Sequence, residues 1–345
     1  MPESDFSCVW IDQSDTGDLS RTIHRITPAR LPEEEVLVRV DYSSLNYKDA
    51  LAASGHPGVV QAFPHVPGID AAGEVVGSDS ERFQPGQAVF VTGYELGAQR
   101  WGGWSRYARV PADWLLPLPP GLTLEETMLY GTAGLTAALS IDALRRQDVV
   151  PSSGEVLVTG ATGGVGSLAV LLLAGLGYQV VASTGKPAMH DALRNWGASR
   201  VVPREELAGS QKRPLLSERW AGVVDTVGGA TLASVLKGTR RNGCVAACGL
   251  VGGADWEATV YPFILRGVTL AGIDSAWCPL ARRQQMWSRL AHEWKPARLA
   301  EVARLTTLDA LLERVDQMLA GRLTGRWVVA ITDAPESSES GAAHG

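Results

Sequence analysis

Apolar runs and helix-like stretches alternate along residues 155–275, and this alternation predicts the architecture of that part of the chain. The run Val156–Val158 is apolar throughout, which is typical of a strand buried on both faces. Small or apolar residues from Ser167 to Leu176 predict a packed helix, and Gly177 ends it before a second valine-rich strand. Because strand and helix patterns continue in turn, we predict an α/β unit with a doubly wound parallel sheet.

Residues 6–122 show a different pattern, in which short strand-like stretches are separated by prolines and glycines. The clearest stretches are Val36–Val40, Ala72–Gly77 and Gln87–Val91. Strands this short and this closely spaced predict a partly open β-barrel rather than a sandwich. A long helical pattern follows over Leu124–Leu144, and it is broken near Gly131–Gly134.

The chain beyond residue 275 adds two helical patterns, Arg282–Glu293 and Leu308–Leu319, and one strand pattern, Trp327–Ile331. These elements are too few for a third domain, so we expect them to rejoin the first. A length of 345 residues accommodates two domains comfortably. The expected boundaries are 1–125 for the barrel domain, 126–275 for the sheet domain, 276–332 for the return to the barrel domain and 333–345 for a disordered tail.

A cluster of glycines, Gly160 to Gly166, connects the first strand of the sheet domain to its helix. Such a turn lacks side chains where a pyrophosphate would approach backbone N–H groups and a helix N-terminus. The alternative is a tight turn that serves packing alone. The position between a buried strand and a helix, with a second strand following, favours a dinucleotide site.

The second strand ends in Ser183-Thr184-Gly185-Lys186, and this ending predicts which dinucleotide binds. An enzyme that uses NAD usually has Asp or Glu there, which accepts from the ribose 2′-OH. The chain instead offers hydroxyl groups and a cation, with Arg204 as a second cation, and these groups suit a 2′-phosphate. The alternative is that Lys186 and Arg204 are solvated surface charges. We therefore predict NADPH as the cofactor.

Composition and charge narrow the class of protein. Hydrophobic residues make up 45% of the chain and charged residues 20%, as in globular proteins. The formal charge of −6 argues against a nucleic-acid binder or a binder of anionic membranes. No apolar run reaches the roughly 18 residues of a membrane span, and the chain has no secretory leader pattern. The four scattered cysteines form no disulfide framework, so we expect a cytoplasmic protein.

Several short motifs together resemble the medium-chain dehydrogenase/reductase family over nearly the full length. They are Ser43–Asp49, Pro67–Gly73, Trp101–Gly103, Gly131–Gly134 and Pro262–Arg266. The resemblance implies a GroES-like barrel domain that carries the catalytic residues and a Rossmann domain that binds NADPH. Within the family the motifs are similar to those of NADPH-dependent acryloyl-CoA reductases, a group that often bears the name quinone oxidoreductase.

The residues at the family's metal positions argue against zinc. Zinc-dependent members have Cys where this chain has Asn46, and Gly-His-Glu where it has Gly68-Ile69-Asp70. Neither Asn46 nor Ile69 supplies the thiolate, imidazole or carboxylate that zinc requires. Cys244 and Cys248 lie on a predicted buried strand, where cysteine usually acts as a small apolar residue. We therefore expect a metal-free enzyme.

Reduction of a carbon–carbon double bond conjugated to a thioester needs no Lewis acid, in contrast to alcohol oxidation. The resemblance places Tyr47 beside the nicotinamide, where its phenol is able to stabilise an enolate or donate a proton. Asn46 is expected to orient the substrate carbonyl or the ribose, with Asp49 behind it. The alternative for Tyr47 is a half-buried barrel tyrosine.

The resemblance also implies weaker assignments. It places pyrophosphate contacts at Thr162, Gly163, Gly164 and Val165, and further cofactor contacts at Gly249, Leu250, Ile273, Ser275 and Arg326. A strand within Trp256–Ser275 is expected to pair across a two-fold axis, which predicts a homodimer.

Three functions follow from these observations. The first is NADPH-dependent reduction of a small enoyl thioester, acryloyl-CoA. The second is quinone reduction in an apolar slot lined by Tyr94, Trp101 and Trp104. The third is NADPH binding without catalysis, because a fold does not determine a function.

Overall fold

A computed structural model describes residues 4–207 and 213–332. The N-terminal part is rich in short strands, as the sequence pattern predicts. Its elements are β1 (Phe6–Gln13), β2 (Leu19–Ile26), β3 (Val36–Leu45), α1 (Tyr47–Ala53), β4 (Asp70–Ser78), β5 (Ala88–Thr92), β6 (Tyr107–Val110) and β7 (Leu116–Pro117). The strands β1 and β2 form an antiparallel hairpin, and the other strands join one larger sheet.

A 23-residue helix, α2 (Leu124–Arg146), leads from the barrel to the second sheet. It begins with a reciprocal capping box, in which Thr123 Oγ1 accepts from the N–H of Glu126 and the Glu126 carboxylate accepts from the N–H of Thr123. The helix is broken at Gly131, whose φ of 50° and ψ of −155° are far from helical values. The predicted break in this helix is therefore confirmed.

The central part of the chain alternates strands and helices. In order they are β8 (Glu155–Val158), α3 (Gly164–Gly175), β9 (Gln179–Thr184), α4 (His190–Asn195), β10 (Arg200–Pro203), β11 (Trp220–Asp225), α5 (Gly229–Gly238), β12 (Thr239–Ala247), α6 (Tyr261–Arg266) and β13 (Thr269–Gly272). All six strands are parallel, in the order β10-β9-β8-β11-β12-β13. This arrangement confirms the predicted doubly wound sheet, whose strand order reverses between β8 and β11.

The remaining elements are α7 (Leu280–Ala291), β14 (Ala303–Thr307), α8 (Leu308–Leu319) and β15 (Arg326–Ala330). Strand β15 pairs antiparallel with β3, with Trp327 opposite Leu45. The barrel sheet therefore has the order β14-β15-β3-β4-β5-β7, with β6 also paired to β3. The numerical domain boundaries stay predictions, and the expected disordered tail lies outside the described residues.

Two further sequence expectations concern membrane spans and cysteines. No helix within residues 4–207 and 213–332 is long and apolar enough to span a membrane. The four cysteines are free thiols, and Cys8, Cys244 and Cys278 are buried.

Candidate active site

The glycine turn between β8 and α3 has the geometry of an anion site. Gly160 has a φ of +57°, and a Cβ there would overlap the Thr226 hydroxyl. No side chain caps the N-terminus of α3, so its first N–H groups keep their capacity to bind an anion. The helix dipole adds positive potential at the same point. These features fit the predicted pyrophosphate contacts at Thr162, Gly163, Gly164 and Val165.

The predicted 2′-phosphate residues lie together at the carboxyl end of β9. Ser183 and Thr184 are buried, and the Thr184 hydroxyl lies 3.3 Å from that of Thr162. The backbone N–H of Lys186 donates to Thr184 Oγ1 at 3.1 Å. The Lys186 ammonium donates to the carbonyl of Leu323 at 2.6 Å, and burial lowers its pKa.

Arg204 approaches this group from the other side. A Cβ on Gly185 would lie 2.8 Å from Arg204 Nε, so the guanidinium passes directly over the glycine. The Arg204 side chain is 75% exposed and forms an ion pair with Glu205 at 3.2 Å. An exposed cation beside Gly185 fits the predicted adenosine end of the cofactor.

The other predicted cofactor residues follow the carboxyl ends of β12 and β13. Gly249 packs against the Thr226 carbonyl so closely that a Cβ would overlap it, and the next residue, Leu250, is exposed. The N–H of Ile273 donates to Ala247 O, and Ser275 Oγ accepts from Thr136 Oγ1 at 2.7 Å. These residues share one edge of the parallel sheet with the glycine turn. Their contact with a cofactor stays a prediction.

Tyr47 is the first residue of α1, directly after the capping residue Asn46. This residue is 39% exposed. Its hydroxyl has no hydrogen-bond partner among the described residues, so it is available to a substrate. Both sequence hypotheses, the catalytic phenol and the half-buried barrel tyrosine, therefore stay open.

Asp49 anchors α1 from below. Its carboxylate accepts from the N–H of Asn46 at 2.7 Å and from the N–H of Ile69 at 2.7 Å, and the side chain is fully buried. Burial raises the pKa of Asp49 to about 7, with a further increase from the Asp70 carboxylate. The predicted place of Asp49 behind Asn46 agrees with this geometry, because the carboxylate faces the backbone and not the open surface.

A buried ion pair that the sequence did not reveal lies beneath Asn46. Asp70 on β4 and Arg326 on β15 are separated by 3.3 Å, and both are almost completely buried. Arg326 was expected to contact the cofactor. In the structure all five N–H groups of Arg326 donate to protein oxygens. A direct contact between Arg326 and the cofactor stays a prediction.

Arg326 nevertheless connects the two halves of the candidate site. Its Nη1 donates to Asn46 Oδ1 at 3.0 Å, directly before Tyr47 in sequence. Its Cδ would lie 3.6 Å from a Cβ on Gly164, the first residue of α3. The tyrosine segment and the glycine turn are therefore neighbours on either side of one arginine.

The metal positions of the zinc-dependent relatives do not fit zinc in this chain. Ile69 is apolar and buried, and Asn46 directs its amide to protein groups. Within residues 4–207 and 213–332, no group of three or more His, Cys, Asp and Glu side chains is placed to hold a metal ion.

The predicted aromatic slot for a quinone is wrong in one of its members. Trp104 is completely buried in the barrel core, where its indole N–H donates to the carbonyl of Ser44 at 3.0 Å. Trp101 donates to Pro64 O and packs edge-on against Trp10. Tyr94 stacks on Trp114 with ring centroids 5.1 Å apart. Trp104 is therefore unable to line a slot, whereas Tyr94 and Trp101 are only partly buried, and their part in a quinone slot stays a prediction.

The strand that we expect to form a dimer, β13, lies at one edge of the six-stranded sheet. The preceding helix, α6, exposes Ile264 and Leu265 beside it. We expect sedimentation equilibrium to give twice the mass of one chain, because an edge strand next to apolar residues favours pairing with a second copy. The mass of a single chain at micromolar concentration would contradict the homodimer.

Two family models match successive parts of the chain. Residues 32–120 match the model of the alcohol dehydrogenase GroES-like domain, and residues 164–292 match the model described as zinc-binding dehydrogenase. The acrylyl-CoA reductase AcuI of Ruegeria pomeroyi is 46% identical to this chain, with 94% of this chain and 98% of the relative covered.

Two other relatives are similarly close. YhfP of Bacillus subtilis, which carries the name quinone oxidoreductase, is 46% identical over 92% of this chain and 96% of its own length. Its structure with NAD bound matches with a TM-score of 0.92, 45% identity, 95% of this chain and 100% of the solved chain. The Escherichia coli YhdH structure with NADPH bound matches with a TM-score of 0.91, 45% identity, 94% of this chain and 100% of the solved chain.

The two matched domain models, the near-complete overlap with these relatives and the shared architecture lead to one conclusion. The chain belongs to the medium-chain dehydrogenase/reductase family and is an oxidoreductase of that family.

Proposed function

We propose that this protein catalyses the NADPH-dependent reduction of the conjugated double bond of a short 2-enoyl-CoA, converting acryloyl-CoA to propionyl-CoA. The observation that carries the proposal is the placement of Tyr47, which is exposed and lies beside the glycine turn. The preceding residue, Asn46, accepts from Arg326, and the side chain of Arg326 also lies against Gly164 in α3. A near-full-length relative named acrylyl-CoA reductase supports the choice of substrate.

The residues that would hold NADPH are those of the glycine turn and the end of β9. The uncapped α3 N-terminus suits the pyrophosphate, and Ser183, Thr184, Lys186 and Arg204 suit the 2′-phosphate. When bound, NADPH supplies a hydride for the β-carbon of the substrate.

The chain's own contribution concerns the charge and the proton. As the β-carbon is reduced, negative charge develops on the thioester oxygen, and the Tyr47 hydroxyl is a donor for that oxygen. The α-carbon then takes a proton, either from the same phenol or through water, which restores the thioester. Each turnover therefore adds one hydride and one proton across the double bond.

Lys186 provides a test of the cofactor assignment. We expect NADPH to bind at least tenfold more tightly than NADH, a difference of about 1.4 kcal/mol. Lys186→Ala should raise the dissociation constant for NADPH and leave that for NADH nearly unchanged, because only NADPH carries the 2′-phosphate. Fluorescence titration with both cofactors measures this difference.

The matched control for Lys186 is Lys295→Ala. Lys295 is also a partly buried lysine, and its ammonium donates to the carbonyl of Gly121 at 2.8 Å, far from β9 in sequence. It should leave both dissociation constants unchanged. Equal weakening of NADPH and NADH in Lys186→Ala would show that the lysine serves only its bond to Leu323.

Chelation tests the absence of a catalytic metal. Because Asn46 and Ile69 are unsuitable as zinc ligands, we expect NADPH oxidation to continue at the same rate after dialysis against EDTA. A zinc-dependent alcohol dehydrogenase, treated in parallel, should lose its activity. Stoichiometric zinc in this protein, with activity lost on its removal, would overturn the proposed chemistry.

The substrate assignment is tested by NADPH oxidation against a panel of short enoyl thioesters and small quinones. We expect kcat/KM for acryloyl-CoA to exceed that for every quinone by at least tenfold. Faster turnover of quinones would favour the quinone reductase, and tight NADPH binding without turnover of either class would favour a non-catalytic binding protein.

A further inference from the structure

The guanidinium of Arg326 is saturated with hydrogen bonds inside the protein. Nε donates to Leu129 O at 3.0 Å, and Nη2 donates to Met128 O and to Asp70 Oδ2, both at 3.3 Å. Nη1 donates to Leu45 O at 2.9 Å and to Asn46 Oδ1 at 3.0 Å. The burial of this cation lowers its pKa, while Asp70 raises it. Arg326 therefore joins β15 to β3, β4 and α2 at one point.

Asp70 receives donors from three directions. Besides Arg326, the Ser44 hydroxyl and Asn46 Nδ2 donate to its Oδ2. The N–H and hydroxyl of Thr132 donate to the same carboxylate at 2.6–3.1 Å. Helix α2 resumes at Thr132 after the break at Gly131. The Asp70 carboxylate on β4 therefore caps the N-terminus of this second helical segment.

The Asn46 amide is fully engaged in this network. Its Nδ2 lies 2.9 Å from Asp70 Oδ2, 3.0 Å from Ser44 Oγ and 3.1 Å from Asp49 Oδ2. Its Oδ1 accepts from Arg326. An amide with these partners has no donor left for a substrate carbonyl, unlike the neighbouring phenol of Tyr47.

The same arginine lies against the cofactor side of the cleft. The residue before it, Gly325, donates its N–H to the carbonyl of Thr162 in the glycine turn at 2.9 Å. Its Cδ and Nη1 both lie within 4 Å of the position that a Cβ on Gly164 would take. A displacement of Arg326 would therefore disturb both Asn46 and the glycine turn.

We propose that Asp70 and Arg326 are a positioning pair that fixes Tyr47 through the side chain of Asn46, and that Asn46 itself is not a proton donor. The proposal rests on the proposed function only for the role of Tyr47. A buried ion pair stabilises little by itself, because desolvation offsets most of the attraction. The pair acts here through geometry. Asp70 and Arg326 are both held by hydrogen bonds, and both bind the Asn46 side chain, so Asn46 and the start of α1 have one orientation.

A double-mutant cycle tests this arrangement. Asn46→Ala should lower kcat for acryloyl-CoA about tenfold or more and change the NADPH dissociation constant less than twofold, because the amide faces away from the phosphates. If Asn46 acts through Tyr47, the double variant Asn46→Ala/Tyr47→Phe should be no slower than Tyr47→Phe alone. Losses that multiply in the double variant would show that Asn46 contacts the substrate, and would overturn the proposal.

A spectroscopic measurement makes the test independent of activity. In protein labelled with 3-fluorotyrosine, the signal of Tyr47 is the ¹⁹F resonance that is absent in Tyr47→Phe. Asn46→Ala should shift and broaden this resonance and leave those of distant tyrosines unchanged. An unchanged Tyr47 resonance would contradict the positioning role, whichever acceptor the enzyme reduces. If acryloyl-CoA is not turned over by the wild type, the proposed function fails, but this measurement still decides the positioning role.

Two further variants test whether the effects are specific to the Asn46 network. Ser54→Ala removes a hydroxyl that donates to Ala50 O at the other end of α1, and it should leave both kcat and the Tyr47 resonance unchanged. Arg326→Lys keeps the charge but lacks the planar fork, so it should reproduce the effect of Asn46→Ala if it folds. A folded Arg326→Lys with wild-type kcat and a wild-type Tyr47 resonance would overturn the role of the pair.

Discussion

Tyr47→Phe is expected to lower kcat for acryloyl-CoA by about 10²–10³, the usual cost of removing one donor to a developing oxyanion. The phenol is exposed and has no partner among the described residues, so its loss should cost little folding stability. The dissociation constant for NADPH should change far less than kcat does, since the hydroxyl matters mainly in the transition state. Steady-state kinetics and a cofactor titration on one preparation give both numbers.

A smaller effect has a defined meaning. A proton relayed by water would soften the loss in Tyr47→Phe to about tenfold. Unchanged turnover would make Tyr47 a packing residue, as the alternative hypothesis has it. In that case bound water would be the remaining donor, because the Asn46 amide is engaged.

The second large effect is expected for Gly131→Ala. A Cβ at this position would overlap both Arg326 Nη2 and Asp70 Oδ2, and the backbone conformation is one that residues with a side chain rarely adopt. Strain and overlap together should destabilise the protein by about 2–6 kcal/mol. We expect the melting temperature to fall by roughly 5–20 °C.

A second glycine-to-alanine change provides the control. Gly175 is the last residue of α3, and no atom lies within 4 Å of the position that its Cβ would take. Gly175→Ala should therefore leave the melting temperature unchanged or raise it slightly. Equal melting temperatures for Gly131→Ala and the wild type would show that the packing at the break of α2 is looser than the structure indicates.

The sheet domain was predictable because its signals are local. Strand β8, the glycine turn and α3 follow one another within about 20 residues, and each leaves its own pattern of apolar residues or glycines. The break in α2 was also visible, since Gly131 interrupts a helical pattern. The helix α8 was predicted over Leu308–Leu319, the range in which the structure has it.

The missed elements are short or irregular in pattern. Helix α1 has seven residues, too few for a helical period to appear. Its capping box includes Asn46, which we had considered as a group that orients the substrate or ribose and not as a helix cap. Strand β14 has mostly exposed residues and therefore little apolar pattern. Both were assigned no structure from the sequence.

The network of Asp70, Arg326 and Asn46 was not predictable from the sequence, because its members are far apart in the chain. Asp70 and Arg326 are 256 residues apart, and nothing local marks either one as a member of a buried pair. The only available signal was the aspartate in the Gly68-Ile69-Asp70 motif, since a carboxylate in a segment of predicted β-structure needs a partner if it is buried. Arg326 begins the last strand, where an arginine is ordinarily a surface residue.

The most direct test of the account is the fate of hydrogen in D₂O. The purified protein is incubated with NADPH and acryloyl-CoA in D₂O, and the thioester product is examined by NMR and mass spectrometry. Addition of hydride to the β-carbon and of a solvent-derived proton to the α-carbon predicts propionyl-CoA with one deuterium at the α-carbon and none at the β-carbon. Deuterium at the β-carbon, or NADPH consumption without propionyl-CoA, would contradict the proposed reaction.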